Sequence, residues 1–212
     1  MKKYDSILFD LDGTLTDSGS GITNCAAYAM DTLGIDYSGK DLSVFVGPPL
    51  RKTFLEFNVP EELVEQAIEI YRSRYTTIGK FENIPYKGIE DVLVQLNSMG
   101  YKLYIATSKP EPVSKEIIEH FGLTKYFTEI AGASLDASRE SKSAVIDYLL
   151  KKHHIDQAIM IGDTEYDVIG SKQHNIPCIG VSWGYGSISS MKEAGAIRIV
   201  DTMDELLSFF KI

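Results

Sequence analysis

Cysteine is scarce in this chain, because Cys25 and Cys178 are the two thiols among its 212 residues. A small fold stapled by disulfides needs several cysteines, so the sequence excludes that class. We expect both thiols to be buried side chains in a reducing, cytoplasmic compartment.

Long apolar runs are also missing, since no stretch is long enough to span a bilayer. Residues 1–5 lead into a strand that ends in acidic residues, and not into the small-residue cleavage site of a signal peptide. We therefore expect a cytoplasmic protein that works without a membrane.

Basic residues are outnumbered, with 21 Lys and Arg against 30 Asp and Glu and a formal net charge of −9. Because phosphate backbones are bound by clustered Lys and Arg, this balance argues against a nucleic acid polymer as partner. The hydrophobic share of 44% is ordinary for a globular protein. The length suits one core domain with a smaller insertion, either as a monomer or as a homodimer.

Short apolar runs alternate with helical patterns from about residue 86 onward. After a first strand near residues 7–9, strands are expected at residues 103–106, 129–131, 158–161, 178–181 and 197–200. Between them, apolar residues at helical spacing predict helices over residues 89–99, 112–120 and 143–152, and Thr202 caps a last one. The alternation predicts an α/β fold, a Rossmann-like doubly wound parallel sheet covered on both faces.

Residues 17–82 depart from this alternation, with helical patterns at 21–33, 48–57 and 60–75 and no convincing strand. We predict a helical cap domain over residues 17–82, inserted into an α/β core domain of residues 1–16 and 83–212. Four aromatic residues of the insertion are expected to form its core rather than a binding stripe. They are Phe54, Phe57, Tyr71 and Tyr75.

The first apolar strand ends in two acidic residues, Asp10 and Asp12, followed by Gly13 and Thr14. Side chains in a strand alternate between faces, so the two carboxylates project to the same side. Two carboxylates at the tip of a buried strand are costly unless a positive group lies between them. The pair therefore indicates a cation site, phosphate chemistry, or both.

Other polar residues fall at the ends of later strands, where open parallel sheets bind their ligands. Thr107 and Ser108 follow the second strand, Asp163 and Asp167 follow the fourth, and Lys142 begins the helix before it. The two later aspartates could instead cap a helix, and Thr107 could be a turn residue. Lys109, directly after Ser108, is a rival to Lys142 for the role of the site's cation.

These residues together resemble the four motifs of the haloacid dehalogenase superfamily of hydrolases, and the resemblance covers essentially the whole chain. The first motif matches residues 10–14 (DLDGT), the second Thr107, the third Lys142, and the fourth residues 162–167 (GDTEYD). Residues 17–82 match that superfamily's cap. One departure is Ser143, since the common form has proline after the lysine.

The resemblance implies a phosphatase chemistry with Mg²⁺ as cofactor. Asp10 is the expected nucleophile, which forms an aspartyl phosphate, and Asp12 the expected proton donor and acceptor. Thr107, Ser108 and Lys142 are expected to hold the phosphoryl group. The expected metal ligands are Asp10, the backbone carbonyl of Asp12, Asp163, and Asp167 directly or through water.

Within the superfamily the chain is similar to the phosphoglycolate phosphatase group, and most of all to its 5′-nucleotidase-like branch. Segments outside the catalytic motifs carry this likeness, among them residues 46–50 (VGPPL) and 180–186 (GVSWGYG). The expected partner is a small phosphorylated metabolite, best matched by nucleoside 5′-monophosphates. Arg51 or Lys52 in the cap could meet a substrate phosphate or carboxylate, for which Arg is the better suited, or both could be surface charges.

Several alternatives stay open at this point. Phosphoglycolate or inorganic pyrophosphate could be the substrate, and a β-phosphoglucomutase-like mutase or a protein-tyrosine phosphatase shares the motifs. A non-catalytic phosphate-binding scaffold is a further alternative, although the complete acid set favours an enzyme. Asp12 argues against a dehalogenase, because a departing halide needs no proton. A kinase has no GxxxxGKS/T phosphate loop to support it.

Overall fold

The computed structural model describes residues 3–136 and 138–211. The chain forms two compact units, Met1–Asp17 together with Pro85–Ile212, and Ser18–Ile84. The boundaries predicted from the sequence, after residues 16 and 82, lie one and two residues earlier. Two short strands, β2 (Thr16–Asp17) and β3 (Ile84–Pro85), lie at the two connections between the units.

The first unit is built on a parallel sheet, which confirms the predicted α/β fold. Its strands in chain order are β1 (Ser6–Phe9), β4 (Lys102–Pro110), β5 (Glu129–Ala133), β6 (Ala158–Gly162), β7 (Cys178–Val181) and β8 (Arg198–Val200). The order across the sheet is β5-β4-β1-β6-β7-β8, with parallel neighbours throughout. The first strand of the chain is therefore central, between β4 and β6.

Helices cover both faces of this sheet. They are α4 (Ile89–Ser98), α5 (Glu111–His120), α6 (Lys142–His153), α7 (Glu165–Lys172), α8 (Ile188–Ala194) and α9 (Met203–Phe210). Because side chains alternate along β1, Ile7 and Phe9 enter a core with α4 and α9. Leu8 enters a second core, with α6, α7 and α8, on the other face. This arrangement is the doubly wound one that the sequence predicts.

Strand β4 runs further than its sequence pattern indicates. The continuous apolar run ends at Ala106, whereas the strand continues to Pro110. Its pairing with β5 shifts register between Ala106 and Pro110, so the regular alternation of side-chain directions stops while the chain stays extended. The irregular stretch contains Thr107, Ser108 and Lys109, and it lies at the end of the sheet where Asp10 follows β1.

The second unit is helical, with α1 (Gly19–Leu33), α2 (Leu50–Glu56) and α3 (Glu61–Thr77). The four aromatic residues predicted for its core, at positions 54, 57, 71 and 75, are all buried, which confirms that prediction. Helix α3 ends two residues later than expected. The hydroxyls of Thr76 and Thr77, in the two added residues, donate to the carbonyls of Arg72 and Ser73, one turn back.

Cys25 and Cys178 are both buried and unbridged, as the sequence predicts. Among the helices that the structure describes, none has the length and apolar character needed to cross a membrane.

Candidate active site

The carboxyl ends of three neighbouring strands bring the predicted residues of the core unit together. Asp10 follows β1, Thr107 lies near the end of β4, and Asp163 follows β6. Since β4 and β6 are the two neighbours of β1, these side chains emerge at one edge of the sheet. Asp10 and Thr107 are 8% and 2% exposed, and Asp163 is fully buried, so the site is largely shielded from solvent.

Three carboxylates form the centre of the site. One oxygen each of Asp10, Asp163 and Asp167 lies within 4.8 Å of the other two. Asp163 Oδ1 accepts a hydrogen bond from the Thr14 hydroxyl at 3.1 Å, and its Oδ2 accepts one from the backbone N–H of Tyr185 at 2.9 Å. The orientation of the Asp163 carboxylate is therefore fixed from both sides.

Asp167 is held by its own helix. The backbone N–H and the hydroxyl of Thr164 both donate to Asp167 Oδ2, at 3.1 and 2.9 Å, in a capping box that begins α7. Asp167 thus takes part in capping α7, which is the alternative role that the sequence left open for the later aspartates. Its other oxygen, Oδ1, lies 2.8 Å from Lys142 Nζ.

Lys142 supplies a buried positive charge to the cluster. Its Nζ lies 2.6 Å from Asp10 Oδ1 and donates to the carbonyl of Ala106 at 3.0 Å. Lys142 is the first residue of α6, and Ser141 begins that helix by accepting a hydrogen bond from the N–H of Ala144. Of the two lysines weighed from the sequence, Lys142 is the one beside the expected nucleophile.

Lys109 belongs to the same site but contacts the other acid. Its Nζ lies 2.5 Å from Asp12 Oδ2, and its side chain is 8% exposed. Sequence reasoning considered Lys109 only as a rival to Lys142, and so missed this contact. The available signal was its position beside Thr107, whose hydroxyl accepts a hydrogen bond from the N–H of Lys109 at 3.2 Å. Ser108 is exposed next to it.

The charges of the cluster do not balance. Burial raises the pKa of Asp10 to about 6, opposed by Lys142 and assisted by Asp167. Burial together with Asp10 and Asp167 raises the pKa of Asp163 to about 7. Lys142 keeps its proton, because Asp10 and Asp167 raise its pKa although burial acts the other way. The four carboxylates of the site face two ammonium groups, which leaves negative charge in a buried place.

A divalent cation fits this arrangement. Mg²⁺ prefers hard oxygen ligands, and the three clustered carboxylates are close enough to share one ion. Asp12 Oδ1 is also buried, and no group among the described residues donates a hydrogen bond to it. A bound cation would stabilise the ionised forms of Asp10 and Asp163, whose pKa values are raised by burial and by neighbouring carboxylates.

Arg51, the candidate for substrate binding in the helical unit, lies at the start of α2. Its side chain is 48% exposed, and its guanidinium pairs with Glu61 at 3.5 Å and with Glu65. Within its own unit Arg51 therefore has the contacts of a surface ion pair. Its contact with a substrate stays a prediction.

Comparison with known proteins identifies the family. A family model described as haloacid dehalogenase-like hydrolase matches residues 7–181. The chain belongs to this family. The resemblance drawn from the motifs is thereby confirmed, and phosphoglycolate phosphatases are among its relatives.

Proteins that are similar to this chain carry different names. The 5′-nucleotidase of Pseudomonas aeruginosa is 38% identical over 194 residues, which are 90% of this chain and 88% of that protein. A protein of Mycobacterium tuberculosis named tyrosine-protein kinase PtkA is 37% identical over 205 residues, which are 94% of this chain and 70% of that protein. The solved structure of a "predicted phosphatase" from Clostridium acetobutylicum is 48% identical, with a TM-score of 0.87 and 97% of each chain covered.

Proposed function

We propose that this phosphatase of the haloacid dehalogenase-like family hydrolyses monoesters of small metabolites with Mg²⁺, and that its substrates are nucleoside 5′-monophosphates. The observation that carries the proposal is the buried contact of Asp10 with Lys142 beside two further carboxylates. The name of the Pseudomonas relative supports the choice of nucleotides. A cytoplasmic location and a monomeric or dimeric state remain predictions.

The metal would be held by the acids of the cluster. Asp10 and Asp163 would each supply a carboxylate oxygen, Asp12 its backbone carbonyl, and Asp167 a contact through water. The ion would screen the negative phosphate from the negative nucleophile and neutralise charge that develops during transfer.

The residues of the chain divide the chemistry between them. A carboxylate oxygen of Asp10 attacks phosphorus, the bond from phosphorus to the ester oxygen breaks, and Asp12 gives that oxygen its proton. Asp12 then takes a proton from water, which attacks phosphorus and releases Asp10 and inorganic phosphate. Thr107 and the N–H of Ser108 hold the phosphoryl oxygens, and Lys142 orients Asp10 and balances its charge.

Phosphoryl transfer to or from tyrosine is a second candidate, favoured by the name of the mycobacterial relative. It uses the same nucleophile, so the site does not discriminate between the two. The acceptor does, because a phosphatase passes the phosphoryl group to water and a kinase passes it from ATP to a phenol.

The test is a substrate panel with purified protein and Mg²⁺. It contains nucleoside monophosphates, phosphoglycolate, pyrophosphate, sugar phosphates, phosphotyrosine, and ATP with a tyrosine peptide. We expect the highest kcat/KM on a nucleoside monophosphate and a loss of about a thousandfold or more in Asp10→Asn.

The matched control is Asp147→Asn, because Asp147 pairs with Lys151 on the surface of α6 at 2.7 Å. It should leave turnover unchanged. Undiminished turnover in Asp10→Asn would contradict the mechanism, and a preference for another member of the panel would contradict the substrate.

A further inference from the structure

The loop after β7 carries Tyr185, which lies outside the four motifs and contacts a residue of the candidate site. The backbone N–H of Tyr185 donates to Asp163 Oδ2 at 2.9 Å. The phenol of the same residue donates to Asp17 Oδ1 at 2.5 Å. Asp17 is the last residue of the core unit before the helical unit begins at Ser18. One residue therefore joins a candidate metal ligand to the end of the first connecting strand.

The two residues before Tyr185, Trp183 and Gly184, pack close to Asp163 and Thr14. A Cβ atom added at Gly184 would lie 2.3 Å from Asp163 Cβ and 2.4 Å from the carbonyl oxygen of Gly13, so no larger residue fits there. The indole N–H of Trp183 donates to the carbonyl of Thr14 at 3.2 Å. Thr14 in turn donates to Asp163 Oδ1. Residues 183–185 thus fix both oxygens of Asp163, one directly and one through Thr14.

We propose that Tyr185 is a positioning residue for the metal site, which holds the Asp163 carboxylate in place through its backbone while its phenol is anchored on Asp17. The inference rests on the proposed metal site. Groups that orient a metal ligand commonly change metal affinity by about 10- to 100-fold when they are removed. The phenol–Asp17 bond acts one step further away, so its loss should lie at the lower end of that range.

The experiment measures Mg²⁺ binding without substrate, by calorimetric titration of the full chain. We expect Tyr185→Phe to raise the Kd for Mg²⁺ about tenfold. Asp17→Ala should have a similar effect, and the double variant should be no weaker than either single one, because both remove the same bond.

The matched control is Tyr148→Phe, which removes another phenol–carboxylate bond of the same unit, the one to Glu129 at 2.8 Å. It should lower thermal stability without changing the Kd. An unchanged Kd in Tyr185→Phe, or an equal rise in Tyr148→Phe, would overturn the inference while the proposed function stands. Absence of Mg²⁺ binding by the wild-type protein would overturn both.

Discussion

The two acidic residues that follow β1 differ in the lysine that each one contacts. Asp10 lies against Lys142, and Asp12 against Lys109, so each carboxylate has its own ammonium partner. Lys142 lies 2.8 Å from a second carboxylate, that of Asp167, and so contacts both the proposed nucleophile and another member of the carboxylate cluster. Lys109 instead contacts Asp12, the proposed proton donor to the leaving group.

The contact of Lys109 predicts an effect that depends on the leaving group. In Lys109→Met the Asp12 carboxylate loses its anchor, so proton donation to the ester oxygen is less well placed. We expect kcat to fall about 10- to 100-fold on a nucleoside monophosphate and much less on p-nitrophenyl phosphate, whose leaving group needs no proton. Steady-state kinetics on both substrates measure the difference.

Lys115→Met is the matched control, because Lys115 pairs with Glu111 on the surface of α5 at 2.6 Å. It should leave both substrates unaffected. Equal losses on the two substrates in Lys109→Met would show that Lys109 does not act through Asp12.

The acids and Lys142, the partner of Asp10, were predictable from the sequence, whereas the contacts of Lys109 and Tyr185 were not. Asp10 and Asp163 directly follow apolar strands, and an acid in that position stands out because its burial is costly. Lys109 reaches Asp12 from the irregular end of β4, where alternation no longer reports the direction of side chains. Tyr185 and Asp17 are 168 residues apart, and no periodicity relates them.

At the scale of elements, the close packing of α7 against α6 determines where the Lys142 side chain lies. A Cβ atom added at Gly170 would lie 2.8 Å from Cγ and 3.0 Å from Cβ of Lys142. These atoms form the base of the lysine side chain, which cannot move without displacing its Nζ. The glycine therefore lets the two helices meet at the distance that brings the ammonium group to Asp10.

This packing predicts the outcome of Gly170→Ala. Alanine normally stabilises a helix interior by about 1 kcal/mol over glycine. Here the added methyl group overpacks against Lys142, at a cost of about 1–3 kcal/mol, so the net effect should be lower stability. Denaturant unfolding measures the stability, and kcat should fall as Lys142 shifts. A more stable variant with full activity would refute the argument.

The positions of strands and helices along the chain were easier to predict than the order in which the strands pair. The apolar runs located β1, β6 and β7 to within a residue, and the hydrophobic spacing located α4 and α6. The order of strands in the sheet is set by packing between distant segments, which no local pattern contains. The extension of β4 to Pro110 escaped prediction because its last residues pair with β5 in a shifted register.

For the whole molecule, the excess of carboxylates over ammonium groups in the site predicts that the free energy of unfolding depends on pH and on Mg²⁺. The folded protein raises the pKa of Asp163 from 3.8 to about 7, so it binds that proton more tightly than the unfolded chain does. The resulting stabilisation is complete below pH 3.8 and is lost as the pH rises to about 7. Ionised Asp163 thus costs the metal-free protein on the order of a few kcal/mol.

Asp163→Asn should therefore be more stable than the metal-free wild type at about pH 8, and its advantage should shrink at about pH 5. Urea unfolding with a chelator at both pH values measures this difference. With excess Mg²⁺ the order should reverse, because the wild type gains binding energy that the variant lacks. If the metal-free wild type were more stable than Asp163→Asn at about pH 8, the predicted destabilisation by ionised Asp163 would be contradicted.

The central place of β1 also determines when the site can exist during synthesis. This strand is synthesised well before its two neighbours in the sheet, β4 and β6. Asp10 and Asp12 therefore lack the contacts of the site until most of the chain has been synthesised, because Lys109, Lys142 and Asp163 come later in the sequence. A nascent chain that stops before Tyr185 already carries every expected acid, but Asp163 still lacks the N–H donor to its Oδ2. The proposed metal site can therefore be complete only after residue 185 has been synthesised.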